Sequence, residues 1–500
     1  MKKTRFISAL LALLMVIAPL ASCATGDEPD ETKEKQTVGD TAEGETEIAD
    51  DLPALDYGDE EFSIISRDME GWTRGEISVE GLKGDPVNDI IYERNKAVEQ
   101  RLNIKLTSYL ENTTDSGAVP NKVITAVKAG TGEYDIMAAC AYTTFPHTLT
   151  GNFVNLLDTE YIDLEKPYWT QGLNEAVSYD GMQFMATGSM LLSIYRFAFV
   201  TVFNKDLFTD ANQPFLYDTV ENGKWTLDRQ ISLVPLFYQD DGDGVQETDG
   251  DIYGFISSTL ISTDPYWSAC KLDIIRKNGD GEMELVLDTN KLHEATDKIL
   301  ELYWGTDGAT YALPGAGADA EQDDIRNMFA QGQGAMATLR IMALENSVMR
   351  NMENEYGVIP MPKFDEQQKT YHTLLHDQFT IVSIPTTVKG ERLDKVSAVL
   401  EALGSTSEKM VKPVYYEETL RTKIATDPQS ALMLDIITNG IYIDLGIINT
   451  ECGVQNGLRG MVAEKTNNTS SRYKAVNKTT ENQLRAMVKK LDKLSSQQAS

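Results

Sequence analysis

Apolar positions along the chain switch repeatedly between a period of two and a helical period. Glu61-Phe62-Ser63-Ile64-Ile65-Ser66 is short and apolar, which predicts a strand. Asp85 to Arg101 predicts a helix, with Ile90, Ile91, Ala97, Val98 and Leu102 on one face. Ile104-Lys105-Leu106 predicts the next strand. Val119 to Ala129 predicts a second helix, closed by Gly130 as a C-terminal glycine should close it. Tyr134-Asp135-Ile136-Met137-Ala138-Ala139 then reads as a buried strand. Strands alternating with helices of this length predict an α/β body with a mainly parallel sheet. In such sheets ligands bind beyond the carboxyl ends of the strands.

The first residues follow another pattern. Lys2, Lys3 and Arg5 precede an apolar stretch from Phe6 to Leu20, shorter than the roughly 20 residues that span a bilayer. The stretch ends in Leu20-Ala21-Ser22-Cys23, which resembles a bacterial lipobox. Residues 1–22 are therefore expected to be a cleaved export signal, with Cys23 lipidated. That predicts an exported protein held at the outer face of the cell membrane by acyl chains. Residues 23–56 carry acidic residues, Thr and Gly with almost no large apolar side chain before Leu52, and are expected to form a disordered tether.

Composition narrows the function. The chain has 500 residues, 41% hydrophobic, with 77 acidic against 45 basic side chains and a net charge of -32. That field repels phosphate backbones, so a nucleic-acid partner is excluded. Four cysteines make no disulfide framework, and Cys140, Cys270 and Cys452 remain after Cys23.

Several runs, taken in order, resemble the extracellular solute-binding lipoproteins of ABC importers, in particular the sugar-type, maltose-binding-like group. They include Gly84-Asp85-Pro86-Val87-Asn88-Asp89, Ala129-Gly130-Thr131-Gly132-Glu133-Tyr134-Asp135-Ile136 and Val202-Phe203-Asn204-Lys205-Asp206-Leu207-Phe208. Trp225-Thr226-Leu227-Asp228, Met328-Phe329-Ala330-Gln331-Gly332-Gln333-Gly334-Ala335-Met336 and Tyr356-Gly357-Val358-Ile359-Pro360-Met361-Pro362-Lys363 continue it. A late run, Pro413-Val414-Tyr415-Tyr416-Glu417-Glu418-Thr419-Leu420, is similar too. The resemblance implies a two-lobed α/β clamshell of the type II periplasmic-binding-protein kind, with a ligand cleft between lobes. Lobe one is expected at 57–196 and 377–415, and lobe two at 197–376 and 416–495.

Sugars present flat C–H faces that pack on aromatic rings, with polar groups at the rim for the hydroxyls. Trp72, in a polar loop after the first strand, Trp267, in a loop after an apolar strand, and Tyr142 are candidate substrate contacts. Trp225 reads instead as a structural plug at a helix start. Arg340, His376 and Asp377 are the candidate polar contacts, placed there by the resemblance.

The acidic run Asp240 to Asp251 is the best ion motif. Asp241, Asp243, Glu247 and Asp251 are candidate calcium ligands, although Gln239 and Gly250 stand where carboxylates are expected in a calcium loop. A structural calcium is thus an expectation, with no cofactor required. His372 and His376 have a zinc spacing only if helical, and the β-rich run that follows argues against it. No phosphate-binding loop, nucleophile elbow or carboxylate pair singles itself out. The expected function is capture of a solute, an oligosaccharide, by a monomer that performs no reaction and delivers it to the transmembrane subunits of an ABC permease. The alternatives are a surface glycan-processing hydrolase and a sensory binding lipoprotein without transport.

Overall fold

The computed structural model describes residues 49–245, 250–314, 318–420 and 428–498. Cys23, Glu247 and most of the expected tether lie outside them.

The predicted elements form where their sequence favours them. Strand β1 (Glu60–Arg67) is followed by helix α1 (Pro86–Leu102), strand β2 (Ile104–Glu111), helix α2 (Ala118–Ala129) and strand β3 (Ile136–Cys140). Asp85 caps α1 by accepting a hydrogen bond from the Asn88 amide at 2.9 Å, and Pro86 fills the first turn, where no amide partner is needed. Gly130 ends α2 at φ +67°, a left-handed conformation that glycine adopts without strain.

The strands gather into two principal sheets. The first has the order β11-β3-β1-β2, with β11 at Thr380–Ser383. β1 runs parallel to β2 and β3, whereas β11 is antiparallel to β3, pairing Thr380 with Cys140. The second sheet has the order β10-β4-β9-β5-β8, from β4 (Phe199–Asn204), β5 (Phe255–Ser258), β8 (Thr310–Leu313), β9 (Met336–Arg340) and β10 (Tyr356–Ile359). Two short strands, β6 (Ile275–Lys277) and β7 (Met283–Leu285), make a separate hairpin. In the second sheet β4 is antiparallel to both β9 and β10, while β5 is parallel to β8 and β9. β1, β2 and β3, the strands on which the parallel expectation rested, are parallel, and the sheets become mixed where β4, β10 and β11 join antiparallel. β4 and β11 are the first strands after the chain passes from one sheet to the other. Such strands arrive without a βαβ crossover to set their direction.

Each sheet has its own cover. Val98 and Leu102 of α1 pack with Val396, Val399 and Leu403 of the helix Glu391–Leu420 against Phe62, Ile64 and Ile136 of the first sheet. The second sheet is flanked by the helices Thr289–Trp304 and Ala318–Ala330. β3, β4 and β9 are buried along their whole length, as strands covered on both faces must be. Just before β1, Asp50 accepts hydrogen bonds from both terminal nitrogens of Arg101, at 2.5 and 2.8 Å, and from Ser405 at 2.5 Å. The chain is therefore pinned to the body from residue 50 onward. Among the described residues no helix is long and apolar enough to cross a membrane.

Candidate functional site

The loop after β1 is built to hold its shape. Thr73 Oγ1 donates to the Arg67 carbonyl at 2.9 Å, and Asp68 Oδ1 accepts from the Gly75 amide at 3.0 Å. Gly71 turns at φ +73°, immediately before Trp72. Glu76 braces the loop from behind. One of its oxygens accepts from the Ser193 amide at 2.8 Å and the other from Thr380 Oγ1 at 2.8 Å. Ser193 lies just before the crossing into β4 and Thr380 just after the return crossing, so one carboxylate ties the loop to both. Burial pushes that carboxyl up.

A cavity of about 400 Å³ opens beside this loop. Glu70, Gly71 and Trp72 line it from the first sheet's side. Gln322, Asp323 and Arg326 of the helix Ala318–Ala330 line it from the second, with Arg340 and Glu345 at and beyond the end of β9. The volume lies within the usual ~300–1,000 Å³ range of small-molecule sites. Arg196 joins its two sides. Its guanidinium meets both Glu345 oxygens, at 2.8 to 3.1 Å, and donates to the carbonyl of Trp72. Tyr415 also donates to Glu345, at 2.7 Å.

Of the residues expected at the site, Trp72 and Arg340 line the cavity, while His376 packs against Trp72 without lining it, and Asp377 does not line it either. The Arg340 guanidinium carbon stands 4.8 Å from the centre of the Trp72 ring, a cation–π distance. His376 packs nearly edge-to-face on Trp72 with centroids 5.3 Å apart, and Phe197 does so at 5.2 Å. Trp72 is therefore only 9% exposed, a ring seated among neighbours rather than an open platform. Burial holds His376 well below its ordinary value, and the Arg340, Arg459 and Arg67 charges add to this, so the ring is neutral at pH 7. The adjacent Asp377 is pushed up to about 6 by burial, with Asp264 adding to the effect and Arg459 and Arg340 opposing it.

Two expected contacts sit elsewhere. Tyr142 is in the first turn of helix α3 (Ala141–Thr148), where its hydroxyl shares a 2.7 Å hydrogen bond with Ser116 and its amide donates to the Asp377 carbonyl at 3.4 Å. It does not line the cavity. Trp267, in the short helix Pro265–Ala269, is 2% exposed and packs 6.1 Å from Tyr473, also away from the cavity lining. Asp264, three residues earlier, forms a two-point pair with Arg459, with Nε to Oδ1 at 2.7 Å. Trp225 is fully buried and donates from Nε1 to the Pro360 carbonyl at 2.9 Å, a packing role.

In the acidic loop the carboxylates serve the backbone. Asp240 accepts from the Gly242 amide, Asp241 from Asp243, Asp243 from Val245, and Asp251 from the Asp241 amide and the Tyr253 hydroxyl. Among the described residues no group of three His, Cys, Asp or Glu side chains is placed to hold a metal ion.

Sequence reading missed Arg196, Gln322, Arg326 and Glu345. A signal existed for two of them, since Gln322 and Arg326 are one helical turn apart on a strongly patterned segment. Arg196 and Glu345 are 149 positions apart and meet only through the fold.

No family model matches this chain, and no curated protein matches it. Solved structures do. A sugar transporter from Rhizobium etli in an open conformation superimposes with a TM-score of 0.56 at 14% identity, covering 84% of this chain and 99% of that one. UgpB from Mycobacterium tuberculosis, in complex with glycerophosphocholine, gives 0.52 at 14% identity over 87% and 99%. An ABC substrate-binding protein from Listeria monocytogenes, in complex with cycloalternan, gives 0.51 at 13% identity over 87% and 99%. The chain has the two-lobed α/β fold of ABC-importer solute-binding proteins.

Proposed function

We propose that this protein is the solute-binding component of an ABC importer. It takes up an uncharged, hydroxyl-rich solute, an oligosaccharide, and offers it to a membrane permease without altering it. The observation that carries the reading is the cavity itself. It lies between a loop of one sheet and a helix of the other, and its lining carries three acidic and three basic side chains, four of them in two pairs. Arg196 is matched by Glu345, and Arg326 by Asp323 at 2.6 Å. Paired charges present fixed donors and acceptors with little net field, which suits hydroxyls better than ions. Hinge motion between the sheets would admit the solute and then enclose it. The expected export signal and lipidation at Cys23 would hold the protein at the outer membrane face, within reach of the permease.

The test is a thermal-shift screen of the mature protein across mono- and oligosaccharides, polyols and peptides, followed by calorimetry and product analysis of each hit. A carbohydrate that binds and is recovered intact supports the proposal. Turnover of the hit, or binding confined to peptides, defeats it.

A further inference from the structure

The helix side of the cavity carries a feature the charge pairs do not explain. Gln322 and Arg326 lie one turn apart on the helix Ala318–Ala330, hence on the same face, and both line the cavity. Gln322 is only 4% exposed. Its Nε2 donates to Ser262 Oγ at 3.3 Å, and Ser262 is itself fixed by Ser258 through contacts of 3.2 and 3.3 Å. Its Oε1 is buried without a hydrogen-bond partner among the described residues. Flipping the amide would give Oε1 the Ser262 hydroxyl and strand Nε2 instead, so one end is unpaired either way. Arg326 repeats the pattern. Nη1 is held by Asp323 at 2.6 Å and Nη2 by Asn327 at 3.4 Å, while Nε is buried with no partner among the described residues.

More than nine in ten buried polar groups in folded proteins are paired, and each exception calls for a reason. Here an acceptor and a donor, one turn apart on a polar cavity wall, lack partners together. We infer that Gln322 and Arg326 are specificity-determining residues for the solute. A solute hydroxyl donates to Gln322 Oε1, and a neighbouring ring or hydroxyl oxygen accepts from Arg326 Nε. The inference rests on the solute-binding reading above and narrows it to a ligand with adjacent oxygens, at least one bearing a proton. Both protein atoms are closed to solvent in this conformation. An open form would admit the solute, and the two hydrogen bonds would form as the lobes close on it. They would thus favour the closed form, because a ligand shifts an equilibrium only through contacts that differ between the two states.

The test uses the mature chain, a carbohydrate found to bind it, and the set of monodeoxy analogues of that carbohydrate. Gln322→Leu and Arg326→Met are compared with wild type by calorimetry and by thermal unfolding without ligand. Each variant is expected to bind about tenfold or more weakly, the usual effect of one buried hydrogen bond or slightly above it. Gln322→Leu is expected to melt no lower than wild type when unliganded, because it removes an unpaired buried acceptor. One deoxy analogue should bind wild type weakly yet lose nothing further in Gln322→Leu. Wild-type binding of the carbohydrate with both variants unaffected would overturn this inference alone. So would a Gln322→Leu variant that melts several degrees lower while every deoxy analogue loses affinity equally in both proteins, which marks a structural residue. A wild-type chain that binds no carbohydrate overturns the solute reading and this inference with it.

Discussion

Replacing Arg459 by Met isolates a buried two-point charge pair, the one it makes with Asp264. The Asp264 side chain is 5% exposed and that of Arg459 is 22% exposed, and the two meet at two points. An exposed ion pair contributes about 0–1 kcal/mol, but removing one partner of a buried pair costs about 3–5 kcal/mol, because the remaining charge is left desolvated. The partial exposure of Arg459 places the expected loss near the lower figure, about 3 kcal/mol at pH 7.5, while Met preserves much of the packing of the arginine stem. The sign with pH follows. Burial already raises the Asp264 carboxyl above its ordinary value, and loss of Arg459 raises it further. A carboxyl whose folded-state pKa is raised favours the folded form at low pH and loses that contribution as pH rises through the folded value. The deficit should therefore be largest at neutral pH and shrink on acidification toward pH 5. Guanidinium chloride unfolding followed by tryptophan fluorescence measures it, at both pH values, in Arg459→Met, Asp264→Asn and the double variant. The double variant should recover most of the loss, with a coupling of at least about 2 kcal/mol. A loss under about 1 kcal/mol at pH 7.5, a deficit unchanged by pH, or strict additivity of the two substitutions would refute the reasoning.

Other expectations are more compact. Glu401 is buried, accepts hydrogen bonds from Tyr168 and from Trp169 Nε1 at 3.1 Å, and is pushed up to about 7 by burial. Wild-type stability should therefore fall as pH rises from about 5 to 8, and Glu401→Gln should flatten that slope in pH-dependent denaturation. Trp225→Ala should cost about 3–5 kcal/mol in chemical denaturation, since it empties a fully buried site and orphans the Pro360 carbonyl. Trp72→Ala should weaken solute binding at least tenfold in calorimetry, because the ring lines the cavity and seats Arg340.

The sequence by itself determined the local elements and the class. The apolar periods at 61–66, 85–101, 119–129 and 134–139 lie on or overlap observed strands and helices, and Gly130 closes its helix where it was read. These features depend on neighbours within a few positions, so a linear reading reaches them. The aromatic candidates were legible by residue type alone, and residue type does not fix exposure. Trp72 reaches the cavity, whereas Trp267, chosen on the same grounds, is packed against Tyr473. Strand direction was decided by tertiary structure, because an apolar strand reads the same in a parallel or an antiparallel partnership. β4 and β11 turn antiparallel at the crossings between sheets. The cavity wall was decided there too. Arg196 meets Glu345 across 149 positions, and Glu76 reaches Thr380 across 304. Contacts at such separations leave no period in the chain, since they arise only when distant segments are brought together by the fold.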